Sequence, residues 1–188
     1  VIANHDFLPI PTSGVAKTML TLPVKTRRKK QPYLAIRSRL QRRQVGRQAQ
    51  LFLPEIRSFM EDQGIAQGPA FFRYNTISPD GELDVEFGHF TDRHYPGSGP
   101  IRAGFLPGGQ FVSLTWFGNY TRFIDVHAMF MGWAQISGVE WDQTPTEAGM
   151  FFGCRVDIFH KAPRHDPDQE KWQTELVVLL KGENAAEN

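Results

Sequence analysis

The feature that most restricts the fold is a change of hydrophobic period that happens twice. Val45, Ala49, Phe52, Leu53, Ile56, Phe59 and Met60 recur at three- and four-residue steps, a helical stripe that stops at Gly64. A second stripe, with Phe123, Val126, Phe130 and Trp133, runs from about Thr121 to Ser137 and stops at Gly138. One strand-like run precedes each stripe and two follow it. In the first half these are Pro32–Leu40, Ala70–Ile77 and Glu82–Phe90, the last two joined by the turn Ser78-Pro79-Asp80-Gly81. In the second they are Gln110–Trp116, Met150–Phe159 and Trp172–Lys181. Pro54 interrupts the first stripe and is expected either to kink that helix or to mark its true first turn.

Individual residues correspond between the halves. Tyr33 answers to Phe111, Gly64 to Gly138, and Glu86 of Asp-Val-Glu-Phe to Glu175 of Thr-Glu-Leu-Val. The chain therefore reads as an internal duplication of a strand-helix-strand-strand unit. The expected class is α+β: two such units (SHS2-like modules) related by a pseudo-twofold, antiparallel sheets with helices packed on them, and a pocket between the halves. His94–Gly109, with five glycines and three prolines, reads as a linker. Residues 1–23 read as a flexible tail or linker, 24–182 as one domain with halves 24–93 and 102–182, and 183–188 as a tail.

Composition narrows the function. The stretch Lys25–Arg47 holds ten of the 21 Lys and Arg residues and none of the 20 acidic ones, which leaves the rest of the chain acidic. No DNA- or RNA-reading motif accompanies Arg27-Arg28-Lys29-Lys30, so a solvated basic face is expected in preference to nucleic-acid binding. No apolar run approaches the ~20 residues of a membrane helix, so no membrane partner is expected. Cys154 is the single cysteine, in the apolar run Met150-Phe151-Phe152-Gly153-Cys154; it reads as a small buried hydrophobe in a reducing, cytoplasmic setting. His89 and His94 flank Asp92 at a spacing poorly suited to metal ligation, and neither a metal nor a cofactor is expected.

In its order of motifs the chain resembles the gyrase-inhibitor-like (GyrI-like) small-molecule-binding domain, which is also the effector-binding half of multidrug-responsive AraC-type and MerR-type regulators of bacteria. The residues that carry the likeness are Gly68-Pro69 with Arg73-Tyr74, Asp84-Val85-Glu86-Phe87-Gly88, Leu106-Pro107-Gly108-Gly109-Gln110-Phe111, Gly118-Asn119-Tyr120, Trp133 and Trp172-Gln173-Thr174-Glu175. The resemblance spans roughly Val24 to Lys181. It implies an aromatic pocket between the halves, with acidic residues of the last strands facing cationic, lipophilic ligands. By position these acids are Glu175 and Asp157. The chain departs from the family pattern in having Asp157 where relatives often carry Glu, Phe111 and Phe159 where Tyr is common, and Asn119 where Pro is frequent.

The expected ligand-binding set is Glu175, Asp157, Tyr120, Tyr74, Phe111, Phe159, Trp116 and Trp133. A carboxylate half-buried among aromatic rings favours an organic cation, because the cation restores its charged form and the ring faces add attraction. The leading expectation is a stand-alone binding domain that senses or sequesters hydrophobic, cationic small molecules, with a separate regulator or DNA gyrase as further partners. Two alternatives stay open. One is a hydrolase of electrophilic, cyclopropane-bearing xenobiotics with Glu175 as general base and Tyr120 orienting the substrate. The other is a gyrase- or DNA-associated modulator acting through the basic N-terminal face.

Overall fold

The structure is a computed structural model that describes residues 19–182. Its elements are β1 (Val24–Arg28), β2 (Gln31–Gln41), α1 (Val45–Asp62), β3 (Ala70–Ile77), β4 (Glu82–Phe90), β5 (Arg102–Leu106), β6 (Gly109–Phe117), α2 (Phe123–Ile136), β7 (Gln143–Thr146), β8 (Gly149–Phe152), β9 (Arg155–Lys161) and β10 (Gln173–Leu179). The class is α+β, as the duplicated pattern predicts. The strands form one antiparallel sheet in the order β1-β6-β10-β9-β3-β4-β2-β5, with the β7–β8 hairpin attached beside β3. β1 runs on into β2 after two residues, and β5 into β6 after Pro107–Gly108. Each edge strand is thus the extension of a strand near the far end, and the sheet curls so that both can pair.

The duplication is visible in the register. Glu86 of β4 stands opposite Arg37 and Arg73, while Glu175 of β10 stands opposite Thr115 and Ile158. Two residues beyond each central partner the ladder skips a residue: Asn75 in β3 and His160 in β9. The two halves therefore superpose Tyr74 on Phe159 and Phe72 on Asp157. Phe72 and Asp157 also pair with each other across β3 and β9, which puts the pseudo-twofold axis between them.

Strand alternation sorts the side chains onto two faces. On the helix face, Ile56 and Met60 of α1 cover Leu34 and Ile36 in one cluster, and α2 covers Val112, Leu114, Leu176 and Val178 in another. On the opposite face, Tyr33, Phe71, Phe111, Val156, Ile158, Val177 and Leu179 make one core joining both halves.

Four features differ from the sequence expectation. β5 lies inside the supposed linker, because one of the glycines counted there is a packing requirement. A Cβ on Gly104 would stand 2.4 Å from Cζ of Tyr33, whose ring lies over the β5 backbone. Part of the expected tail is bound: Thr21 N–H donates to the Thr115 carbonyl at 2.9 Å and Leu20 bridges Trp116. Residues 1–18 and 183–188 of the expected tails lie outside the described residues. The single strand expected over Met150–Phe159 divides at Gly153–Cys154 into β8 and β9. Pro54 sits well inside α1 and so does not mark its first turn.

Candidate functional site

Each helix covers its own half of the sheet, so the central strands β3 and β9 lie between them. The space above those strands is a cleft of about 1010 Å³ that contains the floor residues Phe72, Tyr74, Arg155 and Phe159. α1 contributes Ala49, Leu53 and Arg57 to its walls, and α2 contributes Phe123, Ile124, His127, Ala128 and Met131. The end walls come from Tyr120 and from Ala162–His165 after β9.

Aromatic rings brace one another along the floor. Phe72 and Phe159 meet edge to face with centroids 4.5 Å apart, and Tyr120 stands 5.9 Å from Phe159 and 5.0 Å from Trp172. The Trp116 indole N–H donates to the Asn119 carbonyl at 2.9 Å and so anchors the turn that presents Tyr120.

Beneath the rings lies a buried polar chain. Asp157 is 1% exposed and lies on the helix face between Arg155 and Phe159, two residues from each. Its Oδ2 accepts from the Tyr74 hydroxyl at 2.8 Å and lies 3.1 Å from His127 Nε2. Arg155 Nη2 lies 3.1 Å from His127 Nδ1. A guanidinium only donates, so Nδ1 is the acceptor, Nε2 carries the proton, and His127 is a neutral link between Arg155 and Asp157. Asp157 Oδ1 and Arg155 Nε have no hydrogen-bond partner among the described residues. Burial lowers the Arg155 pKa, with Asp157 opposing that effect. Burial raises the Tyr74 pKa well above its ordinary value and the Asp157 charge raises it further, so Tyr74 stays a neutral donor. Tyr120 is also pushed up by burial. Among the described residues no group of three or more His, Cys, Asp or Glu side chains could hold a metal ion.

No family model matches the sequence, and no curated protein is significantly similar to it. Solved structures do match. EcmrR in its DNA complex aligns with a TM-score of 0.68 at 14% identity, over 86% of this chain but 57% of EcmrR's. The isolated EcmrR C-terminal domain aligns with a TM-score of 0.66 over 85% of this chain and 97% of that one. SAV2435 bound to tetraphenylphosphonium gives 0.54 at 11% identity, covering 86% and 95%, and a hydrolase from Listeria innocua gives 0.54 at 14% identity, covering 85% and 91%. The fold is the gyrase-inhibitor-like one, shared with the EcmrR C-terminal domain.

Within this gyrase-inhibitor-like fold the eight residues singled out in the sequence separate. Tyr74, Tyr120 and Phe159 line the cleft, and Asp157 lies directly under its floor. Phe111 is buried in the core of the opposite face. Trp116 is buried in the α2 core and Trp133 packs against it; neither lines the cleft.

Glu175 differs most from expectation. Thr174, next to it on β10, interacts with Tyr120 on the helix face, and alternation turns Glu175 to the other side. There it pairs with Arg28, with His160 Nε2 3.0 Å from its second oxygen. Burial alone would raise the Glu175 pKa, but the His160, Arg28 and Ser113 interactions outweigh it and hold the carboxyl below its ordinary range. Its pseudo-symmetric mate Glu86 is satisfied the same way, by the Tyr33 hydroxyl and by Asn75 Nδ2 at 3.2 Å; Arg73 Nη1 in turn donates to Tyr33 at 2.9 Å. In the second half Phe111 and Ile158 replace Tyr33 and Arg73, and Arg28 from β1 supplies the missing donor. The basic run thus contributes to the sheet as well as to the surface. Glu175 and Tyr120 do not face one space, so the general-base pair of the hydrolase alternative is not assembled.

Sequence reasoning passed over Arg42, Arg57, Arg155, Arg164, His127 and Phe72 as wall or floor residues. Some signal was present. Phe123 and His127 are four apart on α2, and Arg155, Asp157 and Phe159 share one face of β9 by strict alternation.

Proposed function

We propose that the cleft between α1 and α2 is the receptor site for a bulky, largely apolar organic molecule, and that the protein senses or sequesters such molecules. The observation that carries this reading is the cleft itself: about 1010 Å³ over the pseudo-twofold axis, with an aromatic floor already braced in place. Burying ligand rings there contributes ~25 cal/mol per Å² before the cost of association. The likeness to SAV2435 bound to tetraphenylphosphonium supports the same reading for a fold of this shape. The lone thiol, Cys154, is fully buried and its pKa is pushed up to about 12 by burial, which leaves it unreactive. The chain spans little more than half the length of EcmrR.

Neither carboxylate expected to select a cation is presented to this ligand. Glu175 is committed to Arg28 and His160 on the other face, and Asp157 is covered by Tyr74 and His127.

The test is a titration with the neutral fluorophore N-phenyl-1-naphthylamine, read by its own emission and by quenching of Trp172 beside Tyr120. Micromolar binding is expected in the wild type. It should be lost in Ala128→Trp, which fills the cleft from an exposed α2 position without removing core. Binding that survives Ala128→Trp in a folded variant would place the ligand elsewhere.

A further inference from the structure

The charged side chains around the cleft are of one sign. Arg42, Arg57, Arg155 and Arg164 contribute to its wall, and no Asp or Glu does. Asp157 beneath the floor offsets Arg155 through His127, which leaves three guanidinium groups in excess. None of these three makes a hydrogen bond or salt bridge among the described residues. Arg57, from α1, and Arg164, from the loop after β9, both line the cleft. The Arg164 charge disfavours that of Arg57, and both disfavour the charged form of His165, which lines the same cleft. Burial already disfavours the Arg57 charge; its nearest acid, Glu61, accepts from Gln67 Nε2 at 3.0 Å. Two like charges near one another, one of them half-buried and in no salt bridge, are unfavourable without a bound anion. A planar fork of N–H donors from each is suited to a carboxylate, sulfonate or phosphate, and binding one would relieve both the repulsion and the lost hydration.

We infer that the cleft selects organic anions: an apolar, aromatic body lies over Phe72 and Phe159, and its acidic group is held between Arg57 and Arg164. This rests on the reading of the cleft as a ligand site and reverses the sign of charge expected from the sequence. The long-range field works in the same direction, since the arginines lie around a partly enclosed apolar space where solvent screens them less than on an open surface.

Tetraphenylborate and tetraphenylphosphonium have nearly the same shape and opposite charge, and N-phenyl-1-naphthylamine has none; quenching of Trp172 reads all three. Wild type is expected to bind the borate about tenfold or more tightly than the phosphonium, a preference that shrinks as salt is raised to about 0.5 M. Because the two ions differ in intrinsic hydrophobicity, the deciding quantity is the change in their ratio. In Arg57→Gln/Arg164→Gln, its fold checked by circular dichroism, the ratio should fall at least fivefold. Equal or tighter binding of the phosphonium by wild type, or a ratio unmoved by the double substitution, would overturn the inference and leave the cleft reading standing. If none of the three probes binds, the cleft reading itself fails and this inference with it.

Discussion

Asp157→Asn isolates what the buried floor charge does. The substitution preserves shape, and the Tyr74 hydroxyl can still donate to the amide oxygen. What it removes is the negative charge that offsets Arg155, a guanidinium largely withdrawn from water with its Nε unpaired. Stranding one member of a fully buried ion pair costs about 3–5 kcal/mol. Arg155 reaches the cleft, where water screens it, so about 2–3 kcal/mol is expected here. With an unfolding slope of about 2 kcal/mol per molar urea, the midpoint should fall by about 1–1.5 M, followed by circular dichroism. Arg155→Met alone leaves Asp157 with its two donors and should cost less, about 1–2 kcal/mol. The double variant loses both charges together, so it should be more stable than the sum of the single effects allows, by about 1.5 kcal/mol or more. An Asp157→Asn protein within 0.5 kcal/mol of wild type, or single effects that simply add, would refute the view that this chain is one electrostatic unit.

Three other outcomes follow from particular contacts. Gly104→Ala drives a methyl group into the Tyr33 ring and should cost about 2 kcal/mol, with faster amide exchange in β5, the strand that Tyr33 overlies. Glu175→Gln weakens the Arg28 and His160 contacts and should lower stability by about 1 kcal/mol, while probe affinity in the cleft stays within about twofold of wild type; a tenfold loss of affinity would return Glu175 to the ligand site. His89 is buried and its pKa falls from 6.5 to about 4. The unfolded chain therefore takes up this proton first on acidification, and the His89 contribution, complete above about pH 6.5, is lost as the pH falls toward 4. The difference is about 3 kcal/mol at most, and the urea midpoint of His89→Gln should vary less between pH 7 and pH 4.5 than that of wild type.

The duplicated architecture could be read from the sequence because periodicity, glycine stops and turn residues all report local backbone behaviour. Both helices and the long strands required only that information. β1 and β5 were not legible for a different reason: each is ordered by a partner in the other half, β1 by β6 and β5 by β2, and the glycines around β5 look like linker until Tyr33 is placed over Gly104. Of the aromatic residues expected in the site, Tyr74, Tyr120 and Phe159 line the cleft, whereas Phe111, Trp116 and Trp133 pack in the two cores, a distinction that position along the chain does not carry. The face on which Glu175 stands was not found. It depends on which alternate set of β10 meets the helices, and both sets, Leu176 with Val178 and Val177 with Leu179, are apolar and buried. The cleft arginines come from four separate segments, so their convergence exists only after folding.

The pseudo-twofold also shows where the two halves stop being equivalent. Along the floor, Ala70, Phe72 and Tyr74 of β3 correspond by register to Arg155, Asp157 and Phe159 of β9. The β3 side is apolar apart from the Tyr74 hydroxyl, which reaches Asp157, and the β9 side carries the Arg155–His127–Asp157 chain. A symmetric floor would offer a ligand two equal orientations, whereas this one distinguishes them, because a polar edge turned toward Phe72 would lose its hydration without gaining a partner. Glu86 and Glu175, by contrast, retain their correspondence and are both satisfied from within the sheet. The carboxylate positions thus keep their correspondence on the face away from the helices, whereas the floor residues between the helices do not. A broken symmetry at a solvent-facing floor has no use in packing; on the proposed reading it fixes which end of a bound molecule meets Arg57 and Arg164.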